Sequence, residues 1–310
     1  MDNIKKLGLT ALAGSMVATS AAALDLSASG SWGLSYTSEK QGTVNGQAWT
    51  AGNSVTFSGS GEIDNGWTAS MSYELDNDVM DDYSLSLDMG DAGVFKFSEQ
   101  ASGSGIDIAS NIVPAVDTAV YTAVGTDTVA YGQARSAGET GNLGYTLTMD
   151  GGLKLSAEYA YGAAGNGDNT YGATYTGIDG MTIAVGAGEI NQSDGSGGVE
   201  SRTLGVKYAT GGLTFGVQAT EVEHGKTGTQ DEDGTHYGVT YNVNDDVSIG
   251  YSVQETDFSG SNATEKNSGF QASYSLGSIS FSGRVTKQDN SAGTSGSTDE
   301  DKHVTMSIAF

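Results

Sequence analysis

The feature that most constrains this chain is an alternation of apolar and polar residues with a period of two. From Trp67 to Leu75, apolar side chains occupy every odd position and polar ones every even position. The same alternation returns at 83–87, 153–159, 247–253 and 279–285. Successive side chains of a β-strand point to opposite faces, so the pattern predicts many strands with one apolar and one polar face.

Composition narrows the class of protein further. The 310 residues include 47 Gly, 1 Pro and 37% hydrophobic residues, which is unusual for a soluble globular domain. The 15 Tyr, 8 Phe and 3 Trp recur along the chain and argue against disorder. With no Cys, disulfides, thiolate zinc sites and cysteine nucleophiles are excluded. A net charge of −25 opposes binding to nucleic acid, so we expect no nucleic-acid partner.

Residues 1–23 have the pattern of a secretory signal peptide. Lys5 and Lys6 precede an apolar stretch at 7–18, and alanines at 21–23 provide a small-residue cleavage site. An anchoring helix is the alternative, but polar and small residues interrupt the stretch, which is shorter than the roughly 20 residues that span a bilayer. The remaining domain, 24–310, carries 11 basic and 37 acidic residues, a net charge of −26. It has no comparable apolar run, so we expect any membrane crossing there to be made by strands.

The connections between predicted strands alternate between short and long. Short turns rich in Gly, Asn and Asp are predicted at 64–66, 90–92, 150–152, 176–180, 210–212, 243–246 and 277. Long polar loops are predicted at 38–53, 76–82, 100–141, 162–168, 190–200, 222–233, 256–265 and 288–301. Sixteen strands with short turns on one rim and long loops on the other are typical of transmembrane barrels with an aqueous channel. A large soluble β-sandwich or adhesin is the alternative, disfavoured by this asymmetry.

The last strand carries a family resemblance. It alternates from His303 to a terminal Phe310, which resembles the C-terminal signature of outer-membrane barrels. Together with the signal peptide, the strand count and the long third loop, 24–310 resembles the general porins of the Gram-negative outer membrane, of the alphaproteobacterial, Rhodobacter-like type. The resemblance implies export through the periplasm, contact with outer-membrane lipid and lipopolysaccharide, recognition of Phe310 by the barrel assembly machinery, and a homotrimer. Residues 128–136 resemble a further strand, but a seventeenth would place the C-terminus on the wrong rim, so we assign them to the third loop.

The third loop, at about 100–141, is the candidate pore-narrowing element. It is far longer than ordinary connections and contains Ile106, Ile112 and Val113, which are too apolar for a free surface loop, so we expect an all-β, 16-stranded antiparallel transmembrane β-barrel with this loop folded into the lumen. The resemblance implies that loop acids face a basic cluster on the opposite wall. The candidate loop acids are Asp107, Asp117, Asp127 and Glu139. Each of four bases alternates with outward apolar neighbours along its strand and is therefore predicted to point into the lumen. These bases are Lys96, Lys154, Lys207 and Arg284.

These features predict a water-filled channel for passive diffusion of ions and small hydrophilic solutes. Inward acids and the net charge of −26 predict a preference for cations. Two alternatives remain open: a substrate-selective channel with a binding site in the third loop, and a plugged or adhesive structural barrel.

Catalysis and metal binding have little support in the sequence. The three histidines, His224, His236 and His303, have no recognisable nucleophile motif nearby, so we expect no enzyme activity. No cofactor is predicted. Acidic clusters provide weak candidates for Ca²⁺ ligands, although a solvated charged rim is the favoured interpretation. These candidates are Asp231, Asp233, Asp299 and Asp301.

Overall fold

A computed structural model describes most of the chain. The described residues are 25–41, 44–77, 79–99, 103–117, 134, 141–161, 167–191, 198–261 and 263–310. The predicted signal peptide, 1–23, lies outside the described residues, as do 128–136 apart from Ala134.

Within the described residues the chain forms sixteen antiparallel strands that close into a barrel, as the sequence predicts. The strands are β1 Asp25–Gln41, β2 Val44–Glu62, β3 Thr68–Asp76, β4 Val79–Asp88, β5 Val94–Ser98, β6 Asn142–Thr148, β7 Leu153–Ala160, β8 Asp168–Tyr175, β9 Met181–Asn191, β10 Gly198–Thr210, β11 Leu213–His224, β12 Glu232–Asn242, β13 Val247–Phe258, β14 Glu265–Leu276, β15 Ile279–Asp289 and β16 Thr298–Ala309. Each strand pairs with its sequence neighbours, and β16 pairs with β1.

The polarity of this barrel is inverted relative to a soluble domain. Large apolar side chains lie exposed on the outer face, among them Leu204 at 54%, Phe270 at 53% and Val285 at 52% relative exposure. Polar side chains such as Gln254 and Gln271 are buried on the inner face. An outward apolar band around a polar interior is the arrangement expected of a barrel in lipid. No helix in the described part of the chain is long and apolar enough to cross a membrane.

All seven predicted short turns are found between the expected strands. The backbone explains the residue types at these turns: Gly66 and Gly151 have φ angles of 83° and 85°, in the left-handed region that glycine adopts without strain. The third loop lies between Ser98 and Asn142, as predicted.

Two predicted long loops are wrong. The predicted loop at 38–53 is mostly strand, because β1 runs to Gln41 and β2 begins at Val44. The predicted loop at 76–82 leaves only two residues between β3 and β4. Above the apolar band the outward positions become polar, as at Lys40 and Gln47, so the alternation fades while the strand ladder continues. The same effect shortens later predicted loops, since β10 already begins at Gly198.

Candidate functional site in the barrel lumen

The described part of the third loop, 103–117, runs along the inner wall of the barrel and is called the loop segment below. It contains one short helix, α1, at Asp107–Ser110. Ile106 and Ala109 are fully buried, and Ala109 clusters with Ile112 and with Ala184 of β9. The apolar residues of the third loop therefore form a small core between loop and wall, as the sequence predicts.

The loop segment lies over a succession of inward-facing glycines, one on each of seven strands. We call this set the glycine row, and its members are Gly144 (β6), Gly172 (β8), Gly186 (β9), Gly205 (β10), Gly216 (β11), Gly238 (β12) and Gly250 (β13). Loop residues occupy the space that a Cβ at each of these positions would need. Glycine inside a strand commonly marks a place where another backbone approaches closely. Here that backbone belongs to the loop segment.

Wall side chains hold the loop segment by its backbone polar groups. At the start of the segment, Ser156 Oγ accepts a hydrogen bond from the Gly105 N–H at 2.8 Å. In the middle, Gln218 Nε2 donates to the carbonyl oxygen of Ser110 at 2.7 Å. At the end, Gln271 Oε1 accepts hydrogen bonds from the backbone N–H groups of Val116 and Asp117 at 2.7 and 2.9 Å. Gln218 and Gln271 are buried, so these hydrogen bonds are shielded from water.

An ion pair fixes the end of the loop segment to β15. Arg284 donates from Nη1 to Asp117 Oδ2 at 2.8 Å, and its Nη2 lies 3.3 Å from Asp301 Oδ2 on β16. Nη1 also lies 3.1 Å from His303 Nδ1. Asp117 and Arg284 are 17% and 15% exposed, so water screens this pair less than it would a surface pair. Of the predicted loop acids and wall bases, the structure brings these two together.

The remaining predicted residues are distributed differently. Asp107 lies in α1, where its N–H donates to the Ser104 carbonyl. Asp127 and Glu139 lie outside the described residues. The other three predicted bases face the lumen, as the alternation along their strands predicts. Each lies on the same face of the sheet as a neighbouring residue that contacts the loop segment. They are Lys96 on β5, Lys154 on β7 and Lys207 on β10.

The four bases therefore lie on strands of the wall along which the third loop begins and runs, rather than on the wall opposite. The opposite wall consists of β16 and β1–β4. Paired residues point to the same face of the sheet, so the inward Arg284 places its partner His303 on the inner face, and His303 places its partner Thr37 there too. Within these described strands, the inward-facing positions hold no Lys or Arg. Hydroxyl groups dominate there, and Ser35 Oγ lies 2.9 Å from Thr305 Oγ1.

Carboxylates accompany these hydroxyl groups. Glu74 and Asp76 of β3 line a recess of about 340 Å³ together with Ser31, Ser54 and Thr305. By strand phase, the inward acids of β2–β4 include Glu62, Glu74, Asp76 and Asp88. One side of the lumen thus combines hydroxyls with negative charge.

The four candidate Ca²⁺ ligands do not converge. Asp231 accepts the His224 N–H at 2.8 Å in the loop before β12, and Asp233 points outward from β12. Asp299 and Asp301 lie on the inner face of β16, where Asp301 contacts Arg284. Among the described residues, no group of three or more His, Cys, Asp or Glu side chains is placed to hold a metal ion.

Sequence reasoning missed the glycine row and the two anchoring glutamines. A signal for the row does exist, because glycine recurs at an inward phase on each of β8 to β13. No comparable signal marks Gln218 and Gln271. Their partners are 108 and 155 residues away in the sequence, and the amides resemble ordinary wall polarity.

Comparisons with known proteins agree with this geometry. The family model described as Gram-negative porin matches residues 8–302. Among curated proteins, no sequence matches the chain. A solved porin structure shares 16% identity with a TM-score of 0.66 and covers 92% of this chain and 100% of its own. The trimer form of Vibrio cholerae OmpT shares 12% identity with a TM-score of 0.66, covering 92% and 99%. A mutant of Rh. blastica porin shares 14% with a TM-score of 0.62, covering 92% and 100%.

Proposed function

This chain belongs to the Gram-negative porin family, and on that premise we propose that it forms a water-filled channel for passive diffusion of ions and small hydrophilic solutes, with a preference for cations. Members of this family are outer-membrane channel proteins and not enzymes. The observation that carries the cation preference is the wall of β16 and β1–β4, whose inward positions combine hydroxyls and carboxylates without Lys or Arg.

The balance of positive and negative charges where the loop segment meets the wall supports the same preference for cations. Arg284, which contacts the loop segment, lies between two carboxylates, Asp117 and Asp301. Its positive charge is therefore offset within the wall. Fixed charges lining a pore set the preference for ions of opposite sign, so a lumen with surplus carboxylates favours cations.

The diffusion channel is tested by reconstituting purified protein into liposomes and measuring swelling with neutral sugars of increasing size. We expect swelling rates that fall smoothly with solute size and do not saturate with concentration. Saturation by one sugar would favour a substrate-selective channel instead, and no swelling from folded protein would favour a plugged barrel.

Lining of the constriction by the third loop is tested by charge reversal. Asp107→Lys and Asp117→Lys should each shift the ion selectivity toward anions, because both replace a negative charge on the loop segment by a positive one. Unchanged selectivity in both variants would show that the loop segment does not line the constriction.

We propose a homotrimer. The trimer form of Vibrio cholerae OmpT, a barrel of the same fold, supports this proposal. Chemical crosslinking of the detergent-solubilised protein should stop at three subunits. Crosslinking that yields monomers alone would contradict the trimer.

We also propose lipopolysaccharide as a partner of the outer surface above the apolar band. Arg202 lies there on the outward face of β10, 2.9 Å from Glu200, 3.3 Å from Glu221 and 3.4 Å from Glu223. On β14, Lys266 contacts Glu255 at 2.7 Å. We expect the mixed charges at this height to face lipid headgroups and their phosphates. Native gel shifts by added lipopolysaccharide should weaken when Arg202 and Lys266 are both replaced by Gln; an unchanged shift would contradict the assignment.

The two ends of the chain carry the proposed signals for export and for assembly. We infer that residues 1–23 are removed on export, so N-terminal sequencing of protein from outer membranes should begin at Leu24. We infer further that the assembly machinery reads the final strand, so deletion of Phe310 should slow assembly in cells more than refolding in detergent. Equal effects on both would instead make Phe310 a purely structural residue.

A further inference from the structure

The glycine row is packed tightly against the loop segment. A Cβ on Gly186 would lie 2.6 Å from Ile106 Cγ1. A Cβ on Gly205 would lie 2.7 Å from Ile112 Cγ1. Carbon atoms in contact are about 3.5–4.0 Å apart, so neither position has room for a methyl group.

Two inward-facing glycines away from the loop segment lack this constraint. On the opposite wall, the nearest atom to a Cβ on Gly33 would be the Met306 carbonyl oxygen at 3.8 Å. A Cβ on Gly52 would likewise meet its nearest neighbour, Asn77 Oδ1, at 3.8 Å. These two positions of the inner wall have room for a methyl group, whereas at the glycine row the loop segment takes that room.

We propose that the glycine row sets the width of the channel by fixing how deeply the loop segment sits against the wall. This inference rests on the proposed function as a diffusion channel. The members of the row lie beneath the loop, so they act as positioning residues that control solute size through the loop.

A side chain added to the row displaces the loop and leaves the wall in place. Gly205 lies between two strands, in register with Gln218 of β11 and Ala184 of β9. The ladder fixes that backbone on both sides, whereas separate side-chain hydrogen bonds hold the loop segment. A methyl group at Gly205 would lie 3.1 Å from the Val217 carbonyl oxygen of the wall and 2.7 Å from Ile112 Cγ1, so the clash is relieved on the loop side, by moving the Ile112 side chain and the loop that carries it about 1 Å toward the lumen.

The test compares Gly205→Ala with the matched control Gly33→Ala. Folding of both is checked by heat-dependent migration in gels, and the readouts are single-channel conductance and the largest polyethylene glycol that enters the pore. We expect Gly205→Ala to lower the conductance and the polymer size limit, and Gly33→Ala to change neither. If Gly205→Ala does not fold, Gly250→Ala replaces it with the same expected result, since its Cβ would lie 3.1 Å from Val116 Cγ2.

A rescue variant separates displacement of the loop from general damage. Combining Ile112→Ala with Gly205→Ala removes the side chain that the new methyl group meets, so the double variant should recover the wild-type conductance and size limit. Wild-type behaviour of Gly205→Ala, or no recovery in the double variant, would overturn the proposal. If the wild-type barrel does not conduct, the diffusion function fails. The row is then judged by the thermal unfolding midpoint, which Gly205→Ala should lower and the double variant should restore.

Discussion

Phe310 and Gly30 close the barrel by exchanging backbone hydrogen bonds. The N–H of each residue donates to the carbonyl oxygen of the other, both at 2.9 Å, at the seam between β16 and β1. The Phe310 ring covers Gly30, with its Cζ 2.5 Å from the place that a Cβ on Gly30 would take. Phe310 thus extends the hydrogen bonding between β16 and β1, and its ring lies against the glycine.

This seam predicts a cost for any side chain at residue 30. Gly30→Ala should destabilise the barrel by about 1–3 kcal/mol, the range typical of overpacking, because the methyl group would lie 2.8 Å from the Ser54 carbonyl oxygen of β2 and against the Phe310 ring. Urea unfolding in lipid vesicles measures the effect. Gly33→Ala on the same strand is the control and should be neutral or slightly stabilising. Equal stability of the two variants would contradict the packing at the seam.

The loop anchors predict a second stability effect. Gln271→Leu removes the acceptor for two backbone N–H groups of the loop segment and should cost about 1–3 kcal/mol, at about 0.5–1.5 kcal/mol for each hydrogen bond. The current through the open channel should also become noisier. Gln288→Leu is the matched control, since the buried amide of Gln288 has no hydrogen-bond partner among the described residues. Similar losses in both variants would argue against a specific anchor.

The position of Arg284 between two carboxylates predicts a change in ion selectivity. Arg284→Gln leaves the charges of Asp117 and Asp301 uncompensated in the lumen, so the reversal potential under a salt gradient should shift further toward cations. Arg202→Gln removes the same charge from the outer surface, where Arg202 is 54% exposed, and should leave the reversal potential unchanged. Equal shifts would mean that selectivity follows overall charge and not the charge of the lumen.

The acidic wall opposite the loop predicts the reverse change. Replacing both Glu74 and Asp76 by their amides should reduce the cation preference, and the reduction should be larger at low salt, because the screening length shortens from about 30 Å at 0.01 M to about 10 Å at 0.1 M. The double variant Glu221→Gln, Glu223→Gln neutralises two outward carboxylates and is the control. If the double amide variant keeps the wild-type cation preference at low salt, this wall does not contribute to ion selectivity.

Most of the barrel was predictable because its signals are local. Alternation along a strand indicates which face contacts lipid, and turn glycines such as Gly66 and Gly151 indicate the positive φ angles of a hairpin turn. The same locality explains the errors at 38–53 and 76–82. Around Lys40 and Gln47 the residues are mostly polar, and Val79 and Met80 are adjacent beside a register shift between β3 and β4, so neither segment shows the period-two alternation although the hydrogen bonding between strands continues.

The site was predictable only in part, since strand phase identifies direction but not partners. Phase placed Lys96 and Arg284 on the inner wall, but the ion pair of Arg284 joins residues 167 positions apart in the sequence. The distribution of bases around the barrel depends on strand order in three dimensions. The role of Gly205 likewise depends on its contact with Ile112, more than ninety residues earlier in the sequence, which the sequence of β10 alone does not reveal.

Single-channel current in a planar bilayer under a salt gradient shows whether the barrel is an open channel that prefers cations. We expect stable conductance, with steps in groups of three if the trimer inserts as a unit, and a reversal potential whose sign favours cations. A reversal potential that favours anions would contradict the charge assignment of the lumen. No conductance from correctly folded protein would contradict the open channel itself.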